Sequence, residues 1–305
     1  MALPQKKKSK PSVSIVGAGR LGSALALALS AAGFSVEGMI ARRRAHARKA
    51  AALAGADGAW AIGDLELLPP GKVIFIATPD DEIDNVAQKL AGLADGSVRG
   101  RFVFHTSGAL SSDVLAPLAA VGFQVGSLHP LVSVSDPQSG AASLRGAFYC
   151  VEGEPAAVRL ARTIVRDLKG QSFTVPRESK PLYHAAAVMA SGHVVALFDL
   201  AVEMLVNCGL GRSQARRVLM PLVESTVNNL GATDPARALT GTFARGDLAT
   251  VLKHLQSLAK TDLPEAMQVY RTLGSHALDV VKPANTRISL EIKKALGTNT
   301  GDPSH

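Results

Sequence analysis

Four side chains able to hold or move a proton stand at regular places in the chain. His105 and His129 each close an apolar run, in FHTSGAL and GSLHPL, and Lys180 and His184 lie one helical turn apart in KPLYHAAAVMA. A histidine titrates near neutrality and so can donate a proton at ordinary pH, while a nearby lysine stabilises developing negative charge. A carbonyl or imine under reduction needs both. On this reading His184 is the general acid, Lys180 stabilises the charge, His129 and Ser107 orient the substrate, and His105 shapes the rim. The spacing supplies no third ligand close to the two strand-end histidines, so no metal site is expected.

A second group of residues speaks of a cofactor. Gly17, Gly19 and Gly22 form G-x-G-x-x-G in VGAGRLGSA, after a β-branched run and at the mouth of an Ala- and Leu-rich segment. In that context the first glycine permits a tight turn, the second lets backbone approach a pyrophosphate, and the third lets helix pack on sheet. Helix N–H groups at Arg20, Leu21 and Gly22 then meet the phosphate charge. At the end of the second apolar run, where an acidic residue would accept hydrogen bonds from an adenosine ribose, the chain reads ARRR. The guanidinium groups of Arg42 and Arg43 suit a 2′-phosphate, which favours NADP over NAD. Arg44 is a weaker candidate, and His46 to Lys49 read as the solvated face of the next helix. Ala77, Thr78 and Pro79, in IATPDDEI, should border the nicotinamide or its ribose, with Asp80 or Asp81 capping the following helix.

These residues imply the elements that hold them. Short apolar runs at 13–17, 34–40, 59–62, 73–77, 102–105, 124–128, 148–152 and 172–175 alternate with helical patterns, which argues for a doubly wound (Rossmann), mostly parallel α/β sheet. After Pro176 no strand-like run recurs, and helical patterns continue to about residue 296, as an all-α C-terminal domain. The expected division is a cofactor domain at 12–177 and a helical substrate and dimerisation domain at 178–296, with flexible tails at 1–11 and 297–305. On the first interdomain helix Lys180, His184, Ala187 and Ser191 share a stripe, the wall of a cleft in which Ser191 meets substrate. In TGTFARGDL, Arg245 beside Asp247 either binds an anionic substrate or forms an ion pair at a helix start. Pro221 is expected to kink a long helix rather than end it.

Composition narrows the classes. The 305 residues are 47% hydrophobic and carry a net charge of +8, but aromatics are 4% and do not interleave with the basic residues, so no nucleic-acid partner is expected. KKKSK reads as a solvated N-terminal tail. Cys150 and Cys208 are isolated and write neither a disulfide framework nor a zinc pair, which suits a reducing, cytoplasmic setting. The apolar stretch at 185–201 is interrupted by Ser191, His193 and Asp199, so no membrane span is read. Residues 189–205 and 218–230 hold more apolar surface than one small bundle can hide, which implies a homodimer through the helical domain.

With GAGRLG, ATPD, HTSGAL, SLHPL, YHAAAVMASGH and TGTFARGD in that order, the chain resembles bacterial NADP oxidoreductases of unassigned substrate over residues 12 to about 290. These belong to the broad group that includes pyrroline-5-carboxylate reductase and the 6-phosphogluconate and β-hydroxyacid dehydrogenases. The resemblance implies an N-terminal NADP-binding domain, a helical C-terminal domain that often dimerises, and an active site between them. The chain lacks the glycines that precede the catalytic lysine of the β-hydroxyacid dehydrogenases and the Pro-Gly-Gly-Thr-Thr run of pyrroline-5-carboxylate reductase, which argues against either reaction. The family commonly has proline where this chain has Thr242. The expected function is an NADP(H)-dependent oxidoreductase for a small polar carbonyl or imine. The alternative is an NADP(H)-binding sensor or scaffold without turnover.

Overall fold

A computed structural model describes residues 9–96, 98–281 and 286–297. Most of both expected tails lies outside these residues. Lys10, the one basic tail residue among them, is not solvated freely: its ammonium donates to the Ala32 carbonyl at 2.6 Å, pairs with Asp167 at 3.3 Å and lies over the Phe34 ring.

Eight strands form one sheet: β1 (Val13–Val16), β2 (Val36–Ala41), β3 (Gly58–Ala61), β4 (Val73–Ile76), β5 (Phe102–His105), β6 (Gln124–Pro130), β7 (Phe148–Gly153) and β8 (Gln171–Phe173). Their spatial order is β3-β2-β1-β4-β5-β6-β7-β8, and among the described residues every neighbouring pair is parallel except β6 with β7. β1 and β4 are buried along their whole length, which is why VSIV and VIFI read as unbroken apolar runs rather than alternating ones. Around the sheet lie α1 (Arg20–Ala31), α2 (Arg44–Ala54), α3 (Asp80–Gly92), α4 (Ala116–Ala120), α5 (Pro137–Leu144), α6 (Pro155–Asp167) and α7 (Lys180–Ala190). The strand order reverses between β1 and β4, and the crevice at such a switch point is where open α/β sheets bind ligands.

The antiparallel β6–β7 pair follows from α5, which the sequence pattern does not announce. Asp136 caps α5 by accepting the Gln138 and Ser139 amides, and Gly140 lets it dock closely on α1 beside Ala24. So short a link does not return the chain to the starting end of the sheet, and β7 runs back along β6. The register then pairs Ser127 with Glu152 and His129 with Cys150.

The chain divides into two compact units after Ser191, fourteen residues beyond the boundary expected from the change to helical patterns after Pro176. Helix α7 belongs to the first unit because Lys180 is wholly buried there. The second unit contains α8 (Gly192–Asn207), α9 (Arg212–Ala232), α10 (Pro235–Ala238), α11 (Thr242–Arg245), α12 (Leu248–Leu258), α13 (Pro264–Val281) and α14 (Thr286–Ala295). Its small core gathers Val251, Leu255, Leu278, Ile292 and Leu296. Helix α9 runs through Pro221 and buries only Ala215 of its 21 residues. Residues 177–207 are long and apolar enough to cross a membrane by length and composition, though the helix breaks at Ser191.

The switch point depends on glycine. Gly17 has φ +116°, and a side chain there would strike the Ala77 carbonyl; a methyl at Gly22 would overlap the Gly17 carbonyl. Gly19, by contrast, has open space where its Cβ would stand. Gly22→Ala should therefore destabilise the first unit by about 1–3 kcal/mol, the usual cost of overpacking, while Gly19→Ala stays within about 0.5 kcal/mol. Urea denaturation of the two variants checks this, and equal stability would contradict it.

Candidate active site

At the carboxyl ends of β1 and β4 lies a cleft of about 370 Å³, walled by Gly17, Gly19, Arg42, His46, Thr78 and Pro79 among others. Gly19 occupies the cap position of α1; no side chain caps the helix and no carboxylate stands in its first turn. Its positive end is therefore unopposed, the condition under which a helix start favours an anion. The Thr78 hydroxyl is buried in this wall and makes no hydrogen bond within the protein. Such an atom is costly unless a ligand satisfies it. Asp81 and Glu82, from the first turn of α3, line the same cleft.

The next strand end is a closed turn. The buried His105 ring accepts the Ser107 amide at Nδ1 (3.2 Å), so its Nε2 carries the proton and donates to the Ser111 carbonyl (3.1 Å). Burial, then the charge of Lys180, hold its pKa down at about 3. Ser107 donates its hydroxyl proton to Asp80 (2.8 Å) and accepts the amides of Ala109 (3.2 Å) and Leu110 (3.0 Å). Both side chains are fully occupied in shaping the turn, so neither His105 nor Ser107 has an atom left for substrate. Asp80 is likewise not a cap: it takes the Ser107 hydroxyl, and α3 starts without a side-chain cap. Ser111 does cap the following turn, accepting the Asp113 amide.

Beneath this turn lies Lys180, with 0% of its surface exposed. Its ammonium donates to the Ser127 hydroxyl at 2.5 Å and to the Ser107 carbonyl at 3.3 Å. Burial pushes its pKa down, against the opposing pull of Cys150, Glu152 and Asp80. Glu152, also buried, accepts the Ser112 amide (2.9 Å) and hydroxyl (2.6 Å) and pairs with Arg177 Nε (2.9 Å), which ties the start of α7 to β7. Lys180 thus binds α7 to β5 and β6 from below. Its ammonium is spent on these buried contacts rather than presented at the surface.

On the helix face above it, Tyr183 and His184 meet His129. The Tyr183 hydroxyl and His129 Nδ1 are 2.7 Å apart, and the His129 ring stands edge-on to both the Tyr183 and the His184 rings, each with centroids 5.6 Å away. Burial, then His184 and Lys180, hold the His129 pKa at about 4, so the ring is neutral at neutral pH. Burial raises the Tyr183 pKa, which keeps its proton on the phenol. Gly108 makes this cluster possible: a methyl there would strike His184 Nδ1 and come within 2.9 Å of His129 Nε2. His184 Nδ1 is buried and has no hydrogen-bond partner within the protein.

The remaining expected site residues fall elsewhere. Arg42 lines the cleft, whereas Arg43 stands exposed at the cap position of α2, Arg20 is exposed at the start of α1, and Leu21 packs toward the core. Ser191 is exposed and bonds back to the Ala187 carbonyl at 2.7 Å. In the second unit Asp247 caps α12, its oxygens taken by the Thr250 amide (3.1 Å) and hydroxyl (2.8 Å), while Arg245 ends α11. Pattern reading missed His46, Ser127, Glu152 and Tyr183. Ser127 shares a strand face with His129 two residues on, and Tyr183 lies on the helix face of Lys180 and His184, so the i, i+2 and i, i+3, i+4 spacings carried the signal.

Comparison with known proteins agrees with this architecture. Residues 3–130 match the model of a Rossmann-like domain, and residues 147–277 match a domain of unknown function, DUF2520. No curated protein matches the chain. Among solved structures, the chain is similar to the "putative NADP oxidoreductase BF3122" of Bacteroides fragilis, with 20% identity, a TM-score of 0.73, and coverage of 89% of this chain and 99% of that one. Protein TM1727 of Thermotoga maritima shares 24% identity at a TM-score of 0.68, over 88% of this chain and 98% of that one. The Plasmodium falciparum pyrroline carboxylate reductase, solved with NADP bound, shares 12% identity at a TM-score of 0.57, over 94% and 98%. The chain is thus similar to a Rossmann-like domain in its first part and to DUF2520 in its second.

Proposed function

We propose that the protein is an NADP(H)-dependent oxidoreductase that transfers hydride to or from a small polar carbonyl or imine. The observation that carries this reading is the cleft at the β1/β4 switch point, where the glycine turn, Arg42 and an unpartnered Thr78 hydroxyl line one wall. The unopposed start of α1 suits a pyrophosphate, and the Arg42 guanidinium, with His46 in the same wall, suits a 2′-phosphate. The orphaned Thr78 hydroxyl suits a ribose or carboxamide group. NADP bound there supplies hydride acceptance or donation at its nicotinamide. A solved structural neighbour holds NADP, which supports the cofactor assignment.

The chain's own contribution is proton handling and orientation. His184, with its buried and unpartnered Nδ1, is the group that gives or takes the substrate proton. His129, held neutral and fixed by Tyr183, orients the reacting atom. Lys180 acts from below, fixing α7 and adding positive potential. Both cysteines are unpaired, in keeping with a cytoplasmic enzyme.

We further infer a homodimer through the second unit. Val195 of α8 is 69% exposed and Leu222 of α9 is 64% exposed, and Val218, Val227 and Leu230 of α9 are exposed as well. A 21-residue helix that buries one side chain of its own leaves more apolar surface than a monomer in water sustains.

Fluorescence titration should give tighter binding of NADPH than of NADH, and Arg42→Glu should weaken NADPH by about 10- to 100-fold with little effect on NADH, as expected for lost charge-assisted hydrogen bonds. Equal affinity for the two nucleotides would remove the 2′-phosphate assignment. Light scattering at micromolar concentration should give twice the chain mass, and a monomer mass would refute the dimer.

A further inference from the structure

The cofactor cleft carries charges of both signs, and on the NADP(H) reading above their placement decides which residues meet the base of the nucleotide. Arg42, which follows β2, and His46, in the first turn of α2, line the cleft from the β2–α2 side, whereas Asp81 and Glu82 line it from the first turn of α3. Carboxylates repel phosphates, so the pyrophosphate and the 2′-phosphate belong to the start of α1 and to Arg42 and His46. Helix α3 is left to meet an uncharged part of the nucleotide. The base is joined to the ribose carbon next to the one that bears the 2′-phosphate. A 2′-phosphate at Arg42 therefore leaves the base in the same cleft of about 370 Å³.

Ile62 and Val86 give that side of the cleft an apolar wall with firm backing. Val86 is part of the buried cluster that includes Ile40, Ile76 and Ile83, and Ile62 packs against the same cluster. Glu82 stands four residues before Val86, so the two share the face of α3 that meets the cleft. Among the described residues its exposed carboxylate makes no ion pair and no side-chain hydrogen bond. Asp81 lies about 100° round the helix, and Asn85, one turn beyond it, is not in the wall.

We propose that Glu82 selects the base of the cofactor, its carboxylate accepting a hydrogen from the 6-amino group of adenine, with Ile62 and Val86 as apolar contacts for the ring. A carboxylate only accepts and an exocyclic amino group donates, so the pair is complementary in hydrogen bonding and needs no charge on the base. The second carboxylate, Asp81, adds to the repulsion of phosphate on this side but does not meet the base.

The test is direct binding, by titration calorimetry on the full chain, of NADP⁺ and of its analogue in which hydrogen replaces the 6-amino group of the base. The analogue loses the donor and keeps the shape of the ring. Wild-type protein should bind NADP⁺ about 3- to 10-fold more tightly than the analogue, the net worth of one partly solvated hydrogen bond. In Glu82→Ala the two should bind equally, and in Asp81→Ala the wild-type ratio should persist. Removing either carboxylate strengthens both anionic nucleotides alike, so the ratio rather than the affinity is the readout; both substitutions fall on exposed residues of a first helical turn. Equal binding of the two nucleotides by the wild type, or a preference that survives Glu82→Ala, overturns the assignment and leaves the cofactor reading standing. Absence of binding by either nucleotide overturns the cofactor reading, and the assignment with it.

Discussion

A buried ammonium group must have partners, and the arrangement of the site follows from where Lys180 finds them. The Ser127 hydroxyl on β6 and the Ser107 carbonyl after β5 are the two acceptors, both at the carboxyl ends of strands. To reach them, α7 has to begin directly over those strand ends. A cation in the first turn of a helix is opposed by the helix dipole, and burial opposes it further, so tertiary hydrogen bonds rather than local preference put it there. Once Lys180 is fixed, the 3.6-residue period carries Tyr183 and His184 to the same face one turn on, above His129. Gly108 then decides whether the rings can close together, because any side chain at that position would part them.

The cleft at β1 and β4 obeys a different constraint, steric rather than electrostatic. There the backbone itself is packed: the Gly17 amide bonds the Ile40 carbonyl at 2.8 Å and the Ala77 amide bonds the Val16 carbonyl at 2.7 Å, so no side chain fits between the two turns. The two constraints meet through Asp80. It begins α3, beside the cleft, and accepts the Ser107 hydroxyl of the turn that covers Lys180. The strand ends that hold the cleft and those that hold the histidines are thereby consecutive parts of one rim.

Much of this was legible in the sequence wherever chemistry and period coincide. The sheet strands are found to within a residue or two, since parallel strands buried on both faces appear as apolar runs. The glycine turn is legible because its steric demand is absolute. The roles of individual polar residues are less so. His105, His129 and His184 look alike as letters, yet the first is bonded at both ring nitrogens, the second is bonded at Nδ1 and the third has no partner at Nδ1, and only the tertiary hydrogen bonds separate them. Lys180 was read as a group that meets substrate because it shares a helical stripe with His184; lysine is rarely buried, but here its neighbours are polar enough to take it inside. Helix α5 has a clear cap at Asp136, but its eight residues carry too short an apolar pattern to stand out, and with it the reversal of β7 went unseen.

If the Lys180 ammonium is what holds α7 over the strand ends, hydrogen–deuterium exchange on Lys180→Ala will register its loss. Amides of α7 and of the turn from Ser107 to Leu110 should lose protection by about tenfold or more, the loss expected when charged hydrogen bonds of about 1.5–3 kcal/mol are removed, while β1 and β4 exchange as in the wild type. Wild-type protection throughout α7 in the variant would contradict it.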